Sequence, residues 1–235
     1  MLSRMNATPH RTLVADDDPL VREAYRHFFR AQTEFSLVGE ARNGAEAVTA
    51  YATLRPAIVL MDLQMPGVSG IDATAQICSR NPGACIVALT TFGTRDYIVA
   101  ALRAGASGYL LKDAGAGNLL AGMRQAIAGE MPLSTSVRRQ LVNVMVAENP
   151  VEAEPVDVGL TPREIELLGW LAQGLTNSQI GSQMYVSEGS VKQYLSHIGD
   201  KLGVKSRTQI LVKAIQLNIV DPREMPTVGE RITEH

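Results

Sequence analysis

Carboxylates, a hydroxyl and an amine each stand at the end of a short apolar run in this chain. Asp16 and Asp17 follow Arg11 to Ala15 (RTLVA), Asp62 follows Ala57 to Met61 (AIVLM), Thr90 follows Cys85 to Leu89 (CIVAL), and Lys112 follows Gly108 to Leu111 (GYLL). Apolar runs this short read as buried strands. In an open parallel sheet, ligands bind outside the carboxyl ends of the strands, so these side chains would converge on one spot. Oxygen donors of this kind suit Mg²⁺, a hard cation that keeps several waters. Asp17 and Asp62 would ligate it, with Asp16 helping through water. A cation there offsets the charge of a phosphorylated donor and lets a carboxylate attack phosphorus. Lys112 and Thr90 would then hold the oxygens of an acyl phosphate on Asp62. Asp18 stands apart from the set: Pro19 follows it, which marks a helix N-cap rather than a ligand.

The elements that would position these groups can be read from the spacing. Short apolar runs alternate with amphipathic stretches, which predicts strands over 11–15, 35–41, 57–61, 85–90 and 107–111 and helices over 19–31, 44–54, 69–80, 95–104 and 116–129. Strand then helix, repeated five times, gives an α/β doubly wound five-stranded parallel sheet. Gly105 and Gly129 fit helix stops. A further helix is expected over 133–147, and residues 148–159 (ENPVEAEPVDVG), with two prolines, four acids and no base, read as an exposed linker.

Residues 160–220 have a different grammar. Thr161 to Glu164, Thr176 to Gln179 and Ser206 to Gln209 are capping boxes, Ser187 is an N-cap, and Gly174 and Gly203 sit at helix ends. Four short helices follow: 162–173, 176–184, 188–202 and 207–217. Only Tyr185, Val186 and Ser187 separate the second from the third, a helix-turn-helix spacing. On the third, Val191, Leu195, Ile198 and Leu202 form an apolar stripe. Lys192, Gln193, Ser196, His197 and Asp200 lie on the flanks and the opposite side. A helix so placed can enter a major groove by its N-terminal part, with Lys192 reaching a guanine edge or a phosphate and Gln193 an adenine edge. Charge alone would not argue for nucleic acid: six basic residues meet four acidic ones over 160–220. His197 lacks a carboxylate or cysteine partner at metal-ligand spacing.

Residues 11 to 130 resemble a response-regulator receiver domain, flavodoxin-like in fold. The matching pieces are Val14 to Asp17 (VADD), Val59 to Gly67 (VLMDLQMPG), Ala88 to Thr90 (ALT) and Gly108 to Lys112 (GYLLK). The resemblance implies Asp62 as phosphoacceptor, Asp16 and Asp17 as the acidic pair, and the carbonyl of Gln64 as a further metal ligand. It also implies Thr90 as switch hydroxyl, Lys112 as phosphate-binding amine and Tyr109 as switch aromatic, with Gln64 and Phe92 at positions that tune phosphate lifetime. Leu160 to Leu168 (LTPREIELL), Gly174 to Asn177 (GLTN), Val186 to Ser187, Ser190 to Lys192 (SVK) and Lys201 to Val204 (KLGV) look like the LuxR-type DNA-binding domain. The whole is thereby similar to the NarL/FixJ class over about residues 11 to 217. The class implies base contacts from Lys192, Gln193 and Ser196 and phosphate contacts from Asn177, Ser187, Lys201 and Arg207. Tyr194 departs from the class, standing where many members carry histidine. Ser196, Gly199 and Asp200 make the groove face less basic than in many members.

The implied organisation is a receiver over 11–131, a linker helix and acidic linker over 132–159, an all-α helix-turn-helix unit over 160–220 and a C-terminal tail over 221–235. The implied partners are a sensor histidine kinase, double-stranded promoter DNA, a second copy of the chain on activation and, as a further candidate, RNA polymerase. Across 235 residues, 22 Lys and Arg balance 24 Asp and Glu, so any nucleic-acid site must be a local patch. Met1 to Thr12 lacks the apolar segment of a secretion signal, and no apolar run approaches the roughly 20 residues that span a bilayer. A cytoplasmic protein is expected, and Cys78 and Cys85 then read as packing residues. The rival reading is a doubly wound phosphohydrolase with an aspartyl intermediate. Such enzymes place a second carboxylate close after the nucleophile, whereas Leu63 to Gly67 (LQMPG) offers none. A third reading keeps the DNA-binding unit and makes the pocket vestigial. The full set of pocket residues speaks against it.

Overall fold

The computed structural model describes residues 8–91, 95–113, 115–133, 137 and 158–220. Most of the expected helix over 133–147, most of the acidic linker, the tail and Phe92 fall outside them. Five strands alternate with five helices: β1 (His10–Ala15), α1 (Pro19–Arg30), β2 (Phe35–Ala41), α2 (Gly44–Leu54), β3 (Ile58–Asp62), α3 (Gly70–Arg80), β4 (Ile86–Thr90), α4 (Arg95–Ala104), β5 (Gly108–Leu111) and α5 (Gly115–Ile127). Every pairing is parallel and the strand order is β2-β1-β3-β4-β5. The order reverses between β1 and β3, so the crevice of a doubly wound sheet opens where Asp16, Asp17 and Asp62 leave their strands.

The apolar runs look continuous in sequence because both faces of the sheet are covered. Val14, Ile58, Leu60, Val87 and Leu89 pack with Phe29, Met123 and Ala126, on α1 and α5. Leu13, Val59, Met61 and Ile86 pack with Ala47, Tyr51, Ala73 and Ile77, on α2 and α3. Each fully buried side chain of this size contributes about 1.5–3 kcal/mol, so the strand ends that carry the acids rest on a stiff floor.

Caps set the helix ends as the sequence predicts. Asp18 accepts from the Leu20 N–H at 2.8 Å with Pro19 in the first turn. Gly70 opens α3 against the end of β3, where an added Cβ would lie 1.8 Å from the Asp62 carbonyl oxygen. Only glycine allows that approach.

Four helices follow: α6 (Pro162–Ala172), α7 (Asn177–Met184), α8 (Glu188–Leu202) and α9 (Arg207–Gln216). All three expected capping boxes form, and Val191, Leu195, Ile198 and Leu202 are buried. This helical unit packs on the receiver-like sheet unit within one apolar cluster that includes Ile98, Leu102 and Tyr109. The Thr208 hydroxyl donates to the Ser107 carbonyl at 3.2 Å across the junction. No helix among the described residues is long and apolar enough to cross a membrane. Cys78 and Cys85 are free thiols that burial pushes up to about 11, in keeping with packing roles.

Candidate functional site

Asp16, Asp17 and Asp62 offer carboxylate oxygens that all lie within 4.8 Å of one another. β1 and β3 deliver them: Val14 pairs with Leu60 and Ala15 with Met61, so both strands end level. Lys112 follows β5, and its backbone N–H donates to the Thr90 carbonyl at 2.8 Å. Its ammonium reaches back to Asp16 Oδ2 at 2.6 Å and Asp62 Oδ2 at 2.9 Å. Four groups from three strand ends thus meet as the sequence predicts.

One amine faces three acids, and the charge is not balanced. Asp16 is 1% exposed and Asp62 5%. Burial holds the Asp16 carboxyl above the ordinary range despite the opposing pull of Lys112 and of the Asp18 N–H. Lys112 moves the other way from what burial alone would cause: its bonds to Asp16 and Asp62 outweigh desolvation and raise it, so it stays charged at neutral pH. Asp16 Oδ2, though ion-paired, makes no aligned hydrogen bond. Excess buried negative charge, an under-used carboxylate oxygen and an exposed third acid, Asp17, fit a divalent cation of oxygen preference.

The remaining pocket residues take graded places. Thr90 ends β4 fully buried, one step past the Leu89 that pairs with Asp62. Tyr109 is completely buried in β5. Burial pushes its phenol up to about 12, against a contrary pull from the neighbouring Thr90 hydroxyl. Gln64 sits two residues past Asp62 with its side chain exposed, and its N–H donates to Asp62 Oδ1 at 3.3 Å.

Arg22 is a residue that sequence reasoning missed. It lies on α1, 8% exposed, and one guanidinium nitrogen donates to the Asp16 carbonyl at 2.7 Å and the Asp17 carbonyl at 2.9 Å. Glu40 at the end of β2 lies 3.7 Å away and also takes Arg26. The loop bearing the acidic pair is thereby pinned from beneath. No sequence signal marks it, because a lone arginine on a helix reads as solvated surface.

Residues 12–124 match the response regulator receiver domain, and residues 158–214 match the bacterial regulatory proteins of the luxR family. The transcriptional regulatory protein YxjL of Bacillus subtilis is 39% identical over 217 residues, covering 92% of this chain and 100% of its own. The nitrate/nitrite response regulator NarL of Escherichia coli is 33% identical over 207 residues, covering 88% and 95%. Among solved structures, the response regulator ChrA of a heme-sensing two-component system shares 34% identity over 91% of this chain and all of its own, at TM-score 0.50. A LuxR-family response regulator from Aurantimonas sp. SI85-9A1 shares 31% over 59% and 99%, at TM-score 0.54. The chain belongs to the two-component response regulators, with a receiver and a LuxR-type DNA-binding domain.

In this response regulator the residues expected on the DNA side divide in two. Lys192, Gln193 and Ser196 lie exposed on α8, with Lys192 paired to Glu188 one turn earlier at 2.7 Å. Ser187 caps α8, its hydroxyl accepting from the Ser190 N–H at 3.0 Å. The others are engaged inside the domain. Asn177 is 2% exposed and its amide oxygen accepts from Arg207, which also donates to the Leu175 carbonyl. Lys201 pairs with buried Glu164 at 2.7 Å and donates to the Gly159 carbonyl at 2.9 Å. Lys192, Leu195 and Ser196 also border a cleft of about 570 Å³ whose far wall is formed by the receiver residues Pro82 to Cys85 and Ala126 to Glu130. That wall lies at the amino ends of the strands, opposite the acidic pocket.

Proposed function

We propose that this regulator carries its signal as a phosphoryl group on Asp62, transferred from the phosphohistidine of a partner kinase, and that the modified protein pairs and binds promoter DNA. The observation that carries the reading is the meeting of Asp16, Asp17, Asp62 and Lys112 at the switch point of the sheet. Asp16, Asp17, Asp62 and the Gln64 carbonyl would hold Mg²⁺, which neutralises charge on the transferring group when bound. Asp62 supplies the attacking oxygen. The bond from phosphorus to the donor nitrogen breaks as the bond to the Asp62 oxygen forms. Lys112 is already charged and within reach of the acceptor, so it passes from carboxylate to phosphate with little motion. Thr90 supplies a hydroxyl donor, and Tyr109 behind it couples that movement to the β5 edge. The protein takes up and loses its own phosphate in this scheme, without turnover on a separate substrate.

The packed arrangement supports a resting role for the unmodified form. Two residues placed to read DNA, Lys192 and Ser196, face the receiver across the cleft, and the Thr208 hydroxyl donates to the Ser107 carbonyl across the junction. A modest bias from the phosphorylated pocket would open it. We take the receiver to span 11–131 and the DNA-binding domain 160–220, joined by 132–159 and followed by a tail over 221–235, acting in the cytoplasm. The test is footprinting on genomic fragments with and without beryllofluoride, alongside sedimentation. The mimic should produce protected sites and a dimer in wild type and neither in Asp62→Asn. Equal protection with and without the mimic would refute the switch.

A further inference from the structure

Tyr185 breaks two rules at once. It closes α7 in the left-handed region, at φ 56° and ψ 43°, where a bulky side chain is strained and glycine is the usual occupant. The residue is 95% exposed, beyond Leu20 at 78% and Ile165 at 44%. Packing therefore does nothing to offset the backbone cost. A strained residue that earns no burial points to a task outside the fold.

Its mount is rigid. The Tyr185 N–H donates to the Gly181 carbonyl, and the Val186 N–H donates to the same oxygen at 2.9 Å. Arg163 donates to the Met184 carbonyl at 2.6 Å. Beneath the turn there is no room for a side chain on residue 181, where a Cβ would meet the Val186 carbonyl oxygen at 2.7 Å. Two residues further on, Ser187 caps α8. A helix of this kind enters the groove by its N-terminal part, so the turn stands where the sugar-phosphate chain borders the groove. A phenol is a neutral donor suited to a phosphate oxygen.

We propose that Tyr185 is a DNA-backbone contact, its hydroxyl donating to a phosphate at the edge of the groove that α8 reads. The proposal rests on the DNA-binding reading of α8. The test uses the full-length protein with beryllofluoride, a footprinted genomic fragment and a random-sequence duplex, and the variants Tyr185→Phe, Tyr185→Asn and Lys192→Ala. Tyr185→Phe should weaken binding to both duplexes equally, by about five- to tenfold, and leave the slope of affinity against salt unchanged, because no counterion is released by a neutral donor. Tyr185→Asn should melt at a higher temperature, since asparagine tolerates the left-handed region, yet bind DNA no better than Tyr185→Phe. Unchanged affinity in Tyr185→Phe, or a loss in sedimentation of the dimer with DNA affinity per dimer intact, overturns the proposal, the latter making the turn a self-association surface. If Lys192→Ala also leaves affinity and salt slope unchanged, the reading of α8 fails with it.

Discussion

Replacing Lys112 by methionine removes the amine that Asp16 and Asp62 share while keeping much of the side-chain volume. The ammonium lies 2.6 Å from Asp16 and 2.9 Å from Asp62, and those carboxylates are 1% and 5% exposed. Breaking a buried pair by deleting one partner costs about 3–5 kcal/mol. Two features of this site reduce that figure. The Lys112 side chain keeps 15% of its surface, so water reaches the edge of the pair. Asp16, whose carboxyl burial already raises, can take up a proton and relieve the repulsion. We expect a loss of about 2–3 kcal/mol at pH 7.5. The sign of its pH dependence follows from the raised pKa. Below its folded value Asp16 is protonated in the native state while still ionised in the unfolded chain, so lowering the pH through that value favours folding. The deficit of the variant should therefore shrink as pH falls from neutrality toward the unfolded value of 3.8. Urea unfolding followed by far-UV circular dichroism at pH 7.5 and 5 reads both units, the fluorescence of Trp170, the single tryptophan, reads the DNA-binding domain, and the transition seen by the first and not by the second is the receiver's. A receiver midpoint equal to wild type at pH 7.5, or a deficit identical at both pH values, refutes the charge balance described here.

Further predictions address separate parts of the structure. Arg22→Met should weaken Mn²⁺ binding, followed by electron paramagnetic resonance, about tenfold by unpinning the Asp16–Asp17 loop, with partial recovery in Arg22→Lys; equal affinity would deny Arg22 a positioning role. Glu164→Gln should cost about 2 kcal/mol at pH 7, read by Trp170 fluorescence. Glu164 is 4% exposed, and Lys201 and Thr161 hold its carboxyl below the ordinary value although burial alone would raise it. A depressed carboxyl stabilises above its unfolded value of 4.5 and loses that contribution as pH falls through its folded value, so the difference between wild type and variant should vanish in acid. Gly70→Ala drives a Cβ against the Asp62 carbonyl; it should destabilise by about 1–3 kcal/mol and slow phosphate uptake from a small donor. A normal rate would show that the β3–α3 approach does not set the geometry of the acceptor.

Where local chemistry sets the outcome, the sequence was legible. Asp18 before Pro19, Thr161 with Glu164, Thr176 with Gln179 and Ser206 with Gln209 all cap helices as their spacing requires, and the strand ends carry Asp16, Asp62, Thr90 and Lys112 to one corner of the sheet. Bounds moved by a residue or two: β3 extends to include Asp62, and α5 ends at Ile127 rather than 129. Several helix stops gave no glycine signal. α2 and α7 end on Arg55 and Tyr185 in the left-handed region, each cap N–H donating to a carbonyl four residues back, a conformation that propensity alone would avoid. Long-range polar links were also illegible. Arg22 under the acid loop, Lys201 on Glu164 and Arg207 on Asn177 join residues whose types alone suggest solvent or DNA. The packing of α9 on the receiver depends on complementary surfaces and leaves no periodic trace.

The central assignment is that Asp62 receives the phosphoryl group, and the direct measurement is chemical. The protein is treated with a small phosphodonor and Mg²⁺, any acyl phosphate is reduced with borohydride, and the peptide spanning β3 is sequenced by mass spectrometry. Asp62 should be converted to homoserine, with no conversion when Mg²⁺ is withheld and none in Asp62→Asn. Conversion at another aspartate, or none at all in protein whose receiver is folded, contradicts the assignment.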